Sequence, residues 1–166
     1  MTGPQENYDP ETGLLSAVGM EHELDAELSR AARHQIPISL LYLELSPAHR
    51  DEDGNADRHV LARVAEALLG SVRAEDRVAR IGELRFAVLA IEGGSSEALA
   101  RRLGEHVRKH LRGSAGDEAA VTVAAVDCQF DEMTREQMVD QVEQELAAAI
   151  LDESGIPIPP PSPAGR

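Results

Sequence analysis

The run from Ile38 to Leu45, Ile-Ser-Leu-Leu-Tyr-Leu-Glu-Leu, restricts the fold more than any other part of the sequence. It is nearly all apolar over the length of a strand, and such a strand has to be covered on both faces. A helical pattern precedes it, with Leu24 and Leu28 at helical spacing, and an amphipathic stripe follows it from Val60 to Val72. The sequence therefore predicts a layered α/β domain with this strand inside.

The rest of the chain supplies the elements that surround this strand. Residues 77–89 indicate a β-hairpin, with a short strand, a tight turn at Gly82 and a second apolar strand. A helix is predicted at 99–111, a strand at 119–128, and a last helix that opens with a capping box at Thr134. This order predicts an α/β sandwich, with a mixed central sheet of four or five strands flanked by helices.

Composition excludes several classes of function. The formal net charge is −14 and aromatic residues make up only 2% of the chain, so both phosphate backbones and anionic membranes should be repelled and few rings are available for base stacking. We expect neither a nucleic-acid partner nor a membrane partner. Cys128 is the single cysteine, and no signal peptide or spanning segment is evident, so the sequence predicts a cytoplasmic protein.

Two segments resemble the GGDEF family, the diguanylate cyclases that make the bacterial messenger cyclic di-GMP. The segment Asp9-Pro10-Glu11-Thr12-Gly13-Leu14 is similar to the family's Asp-x-Leu-Thr-Gly-Leu opening. The hairpin turn Gly82-Glu83-Leu84-Arg85-Phe86 stands at the family's Gly-Gly-Asp/Glu-Glu-Phe signature. The resemblance implies the GGDEF/nucleotidyl-cyclase-like sandwich. It places a degenerate GGDEF domain at 9–154, a flexible N-terminal segment at 1–8 and a Pro-rich disordered tail at 155–166.

The same resemblance implies that the catalytic chemistry is lost. Family members hold GTP on magnesium through carboxylates, but Leu84 replaces the signature acid and Arg85 replaces the neighbouring Glu. Glu44 keeps the chemical type of the first magnesium-binding acid, and Arg58 stands at the place of a guanine-binding Asp. Residues 147–150 lack the family's phosphate-binding Lys. The expectation is a non-enzyme with no catalytic residues, no metal site and no cofactor.

A second family site is retained in register with the hairpin. Arg73-x-x-Asp76 ends five residues before Gly82, which is the spacing of the family's inhibitory site for cyclic di-GMP. An Arg fork can bond the N7 and O6 edge of guanine, and a carboxylate can accept from its N1 and N2 protons. The alternative is a surface salt bridge at the end of the preceding helix.

Three further arginines complete the predicted ligand site. Arg77 and Arg80 lie close in sequence to Asp76 and could attract the phosphates of the ligand. The family adds an Arg from the third helix; His106 aligns there, and Arg102, one turn away, is the substitute we consider. Arg73, Asp76, Arg77, Arg80 and Arg102 are therefore the candidate residues for cyclic di-GMP.

Three functions follow from these patterns. The first is a catalytically inactive receptor for cyclic di-GMP, which passes the signal to an unidentified protein partner. The second is a protein interaction module that binds no nucleotide and uses the surfaces of the fold or the Pro-rich tail. The third is a residual enzyme, or a GTP binder that regulates without turnover. Because the family commonly binds cyclic di-GMP as a stacked pair, a ligand-linked homodimer is compatible with the first.

Overall fold

The computed structural model describes residues 4–91, 94–112, 121–128 and 133–153. The helices there are α1 (Ala17–His34), α2 (Arg58–Leu69), α3 (Ser96–Leu111) and α4 (Arg135–Glu153). The strands are β1 (Ile38–Leu45), β2 (Arg77–Arg80), β3 (Arg85–Ile91) and β4 (Val121–Cys128). The predicted order of elements and the α/β class are confirmed. The Pro-rich tail predicted at 155–166 lies outside the described residues.

The four strands form one sheet in the order β2-β3-β1-β4, and every neighbouring pair is antiparallel. The sequence predicted a mixed sheet, with both parallel and antiparallel pairing. Within the described residues, the parallel pairing is a single bridge between Leu15 and Ala79 at the outer edge of β2. β1 is central, as predicted, and its register places Glu44 directly opposite Arg85 on β3. This register brings the carboxylate of Glu44, at the end of β1, next to the guanidinium of Arg85.

Two cores lie on opposite faces of β1. Leu41, Leu43 and Leu45 pack with α2 and α3, whereas Ile38, Leu40 and Tyr42 pack with α1 and α4. This alternation explains the nearly continuous apolar run, because successive side chains of a strand point to opposite faces. Phe86 and Leu84 of the hairpin are 0% and 6% exposed in the first of these cores, as expected for hairpin packing.

The structure confirms the predicted start of α4 and shows where α2 ends. At the start of α4, the backbone N–H of Thr134 donates to Oε1 of Gln137 at 2.9 Å, and the N–H of Gln137 donates to Oγ1 of Thr134 at 3.2 Å. This reciprocal pair is the predicted capping box. α2 ends at Leu69, so residues 73–76 lie in a turn beyond the helix and not at its end as predicted.

The N-terminal segment is not loose over its last five residues. Pro4–Asn7 forms a 3-10 turn, Tyr8 bridges to Leu15, and the N–H of Ser16 donates to the carbonyl of Asn7 at 2.8 Å. Residues 4–8 of the segment predicted to be flexible therefore make defined backbone contacts with the residues before α1. The polar sequence of this segment gave no sign of these backbone bonds, which depend on the position of α1.

Gly19 allows this segment to lie close to α1. A Cβ at residue 19 would lie 2.2 Å from the carbonyl oxygen of Asn7, which is far inside van der Waals contact. We therefore expect Gly19→Ala to push the segment away and to destabilise the protein by about 1–3 kcal/mol, the usual effect of overpacking. Urea unfolding measures the change. Ala17 lies on the same helical turn and is exposed, so Ala17→Gly is the control. Equal stability of Gly19→Ala and the wild type would contradict the prediction.

Candidate functional site

The turn that carries Arg73 and Asp76 is hydrogen-bonded to the end of β3. Asp76 accepts a hydrogen bond from the N–H of Arg73 through Oδ2 at 2.8 Å and another from the N–H of Ile91 through Oδ1 at 3.0 Å. Both carboxylate oxygens therefore already hold backbone groups. An ionised carboxylate has about four lone-pair sites, so each oxygen can still accept one more bond.

Arg77 closes the same turn from the side of α1. Its Nη1 lies 3.1–3.3 Å from the carbonyl oxygens of Ala74, Glu75 and Asp76, and its Nε lies 3.3 Å from the Glu23 carboxylate. The guanidinium thus stabilises three carbonyls that belong to no helix or strand. Its charge is partly balanced by Glu23.

Two arginines with free donors flank this turn. Arg102 on α3 is exposed, and its Nη2 donates to the carbonyl of Ser71 at 3.2 Å. Arg73 is exposed, and within the described part of the chain its guanidinium has no hydrogen-bond or ion-pair partner. His106 follows Arg102 by one helical turn and faces Gly70, since a Cβ on Gly70 would lie 3.9 Å from Nε2 of His106. The structure therefore brings Arg73, Asp76, Arg77 and Arg102 together.

Arg80 lies apart from this group. The register of the hairpin puts Arg77 opposite Leu89 and Arg80 opposite Phe86, so Arg80 is at the far end of β2, roughly 10 Å away at about 3.3 Å per residue. Its side chain is only 9% exposed and is 3.2–3.4 Å from carboxylate oxygens of Asp9 and Glu11. Arg80 ties the N-terminal turn to the hairpin and does not face the Arg73 turn.

A cleft of about 640 Å³ lies at that far end, beside the hairpin turn. It is bounded by the end of β1, the turn Gly82–Arg85 and the last turns of α4. Its lining combines apolar side chains with charged ones: Glu44, Leu45, Ser46, Pro47, Arg50, Ile81, Gly82, Glu83, Leu84, Arg85, Thr122, Glu143 and Ile150. The cleft is therefore lined by four of the five residues at the signature positions, Gly82 to Arg85, whereas Phe86 is buried in the core.

The residues of the cleft do not fit a magnesium ion. Arg85 Nε donates to Oε2 of Glu44 across the β1–β3 pair. Glu44 is the acid that stands at the family's magnesium-binding position, and its carboxylate is therefore already paired with the Arg85 guanidinium. Leu84 is buried in the core and offers no oxygen ligand from its side chain. Among the described residues, no group of three or more His, Cys, Asp and Glu side chains is placed to hold a metal.

Two other ionisable groups near the cleft have shifted pKa values. Glu83 projects from the turn to Arg50, with 2.7 Å between Oε2 and Nη1, and this hydrogen bond lowers the pKa of the Glu83 carboxyl. Burial, with Glu143 nearby, raises the pKa of Tyr42 to about 12. At neutral pH Glu83 is an ion-paired carboxylate and Tyr42 a neutral phenol, so neither is poised to exchange a proton.

Sequence reasoning missed the structural role of Asp76 and the cross-strand pair of Glu44. The first could have been suspected, because an Asp three residues after the start of a turn often bonds backbone N–H groups. The second needed the register of β1 against β3, which the sequence does not state. No helix in the described part of the chain combines the length and the apolar character that crossing a membrane requires.

Comparisons with known proteins identify the fold. No curated protein matches the chain in sequence. Among solved structures, a sensory box/GGDEF family protein from Caulobacter crescentus CB15 is 22% identical with a TM-score of 0.71, over 88% of this chain and 99% of that one. The GGDEF domain of DgcB from Caulobacter crescentus, solved in complex with c-di-GMP, is 19% identical with a TM-score of 0.69, over 93% and 94%.

A third structure is that of diguanylate cyclase SiaD from Pseudomonas aeruginosa in complex with its activator SiaC. It is 23% identical with a TM-score of 0.65, over 91% of this chain and 60% of that one. The family model described as "Diguanylate cyclase, GGDEF domain" matches residues 6–150, which includes both the Arg73 turn and the cleft. This match over most of the sequence shows that the chain belongs to the GGDEF domain family.

Proposed function

We propose that this chain is a catalytically inactive GGDEF domain that acts as a receptor for cyclic di-GMP and relays its binding to a protein partner. The observation that carries the proposal is the grouping of Arg73, Asp76 and Arg102 at one turn of a protein whose net charge is −14. The exposed guanidinium groups of Arg73 and Arg102 create a local positive potential on an acidic protein, and this potential attracts an anionic ligand.

The geometry supports a division of roles within this site. The guanidinium of Arg73 is exposed and can bond the N7 and O6 edge of a guanine base. Asp76 is held in place by two backbone N–H groups, and its remaining lone pairs can accept from the N1 and N2 protons. Arg102 can pair with a phosphate from the α3 side. Arg77 supports the turn, and Arg80 has no part in the proposed site.

The proposal of an inactive domain rests on the cleft. A catalyst of this family would need free carboxylates for magnesium, whereas here Glu44 is bonded to Arg85 and the signature acid is the buried Leu84. We therefore propose no catalytic residues, no metal and no cofactor. A cytoplasmic location belongs to the same proposal. Incubation with GTP and magnesium tests the inactivity, because any cyclic di-GMP formed would contradict it.

A protein partner is the second component of the proposed receptor function. The diguanylate cyclase SiaD, which has this fold, was solved in complex with its activator SiaC, and this supports a protein partner for the present chain. A second candidate function is such pairing without a nucleotide. It is favoured by the internal bonds of Asp76 and Arg77, because these bonds give both residues a structural reason to be present.

Isothermal calorimetry with cyclic di-GMP distinguishes these functions. We expect saturable binding by the wild type, and Arg73→Ala should weaken it by about 1–3 kcal/mol, the usual worth of a bidentate guanine contact. Arg101→Ala is the matched control, since it removes the same charge from α3 at an exposed position paired with Glu97. A flat titration of the wild type would favour the nucleotide-independent module. Equal losses in both variants would mean general electrostatic attraction and no defined site.

A further inference from the structure

The charges around the cleft at the hairpin turn disfavour an anionic occupant, because three acids, Glu44, Glu83 and Glu143, line it against two arginines, Arg50 and Arg85. Two of its acids are paired with arginines, Glu44 with Arg85 and Glu83 with Arg50. Its apolar lining consists of the partly buried Ile81 and Ile150 and the exposed Pro47, together with the buried Leu45 and Leu84. A ligand with several negative charges would have to break the internal pairs, whereas an apolar segment can cover the lining and leave them intact.

The C-terminal residues follow directly after a helix that lines this cleft. Ile150 lies in the last turns of α4 and lines the cleft, and α4 ends at Glu153. The following residues 154–166 read Ser-Gly-Ile-Pro-Ile-Pro-Pro-Pro-Ser-Pro-Ala-Gly-Arg, with two isoleucines, five prolines, no acid and one arginine. This composition is unlike the rest of an acidic chain, and it matches the apolar lining.

We propose that residues 154–166 bind in this cleft, with Ile156 and Ile158 as the inserted side chains. Ile156 and Ile158 are three and five residues beyond Glu153, where α4 ends, and an extended chain of those lengths reaches about 10 Å and about 17 Å. The cleft is within this reach because Ile150, about one helical turn before Glu153, lines it. Prolines favour an extended backbone before binding, which lowers the entropy lost on docking. A tether this short gives an effective concentration on the order of millimolar, so even weak contacts hold the segment in place.

Such docking covers the place of the family's signature and not the Arg73 turn. β2 separates the two, with the Arg73 turn at its start and the cleft at its end. The bound segment would then be a second reason, besides Leu84 and Arg85, why the cleft does not receive a nucleotide. Because the two sites are separate, failure of this proposal leaves the cyclic di-GMP site untouched, and the reverse also holds.

Paramagnetic relaxation in the full chain tests the docking. A nitroxide is attached through Ser162→Cys, with Cys128→Ala to remove the single native thiol, and the methyl signals of Ile81, Leu84 and Ile150 are recorded by NMR. We expect the Ile81 and Leu84 signals to be lost through broadening. The matched control carries Ile156→Ser and Ile158→Ser in the same labelled chain, where these two signals should return.

Each other outcome contradicts the proposal. Equal broadening with and without the isoleucines would show that the tether alone brings the label near. Broadening that appears only on unlabelled chains mixed with labelled ones would assign the cleft to a second copy. The remaining methyl spectrum reports whether each variant is folded, and calorimetry of the Ile156→Ser/Ile158→Ser chain should give the wild-type response to cyclic di-GMP.

Discussion

Leu84→Asp, the change that restores an acid at the signature position, is expected to destabilise the protein by about 3–5 kcal/mol and to produce no cyclic di-GMP. Leu84 is 6% exposed and belongs to the core that β1 and the hairpin form with α2 and α3. The substitution removes its buried apolar surface and places a carboxylate among hydrocarbon side chains. Both arginines that line the cleft already have carboxylate partners, since Arg85 is bonded to Glu44 and Arg50 to Glu83.

Urea unfolding and a GTP turnover assay measure the two parts of this expectation. Leu84→Met is the control, since it keeps the volume and apolar character and should change the free energy of unfolding by less than about 1.5 kcal/mol. A stable Leu84→Asp protein that makes cyclic di-GMP would show that the cleft can reopen. It would contradict both the packing argument and the proposal of an inactive domain.

Asp76→Ala is expected to lower the free energy of unfolding by about 2–4 kcal/mol, apart from any effect on a ligand. The carboxylate is the acceptor for two backbone N–H groups, those of Arg73 and Ile91, and it joins the turn to the end of β3. Alanine leaves both groups without this acceptor. Chemical denaturation of the protein without ligand measures the loss.

Two matched variants separate structure from binding at this turn. Asp76→Asn keeps one oxygen acceptor and should lose about half as much stability as alanine. Arg73→Ala keeps the backbone N–H that Asp76 binds and removes only an exposed side chain, so its stability should stay within about 0.5 kcal/mol of the wild type. If Asp76→Ala were equally stable, the turn would be held by other contacts.

This difference decides which variant can test the receptor proposal. Loss of cyclic di-GMP binding in Asp76→Ala would have two explanations, a missing guanine contact and a displaced turn. Loss in Arg73→Ala has one, because the side chain has no other partner in the described part of the chain. Arg73 is therefore the residue on which the proposed function should be judged.

The sequence by itself determined the elements that depend on local spacing. The apolar run at Ile38–Leu45, the stripe that begins at Val60 and the hairpin around Gly82 are each recognisable within a few residues. The capping box of Thr134 and Gln137 is likewise local, because both of its bonds join residues three apart. Local periodicity and the family resemblance together were enough to predict the fold.

The tertiary structure alone decided how the charged side chains are used. Arg77 and Arg80 are three residues apart in the sequence, yet one supports the Arg73 turn while the other binds Asp9 at the far end of β2. Glu44 meets Arg85 because β1 pairs with β3 in one register. Partners that are distant in sequence meet only through strand register and helix packing, which local spacing does not encode.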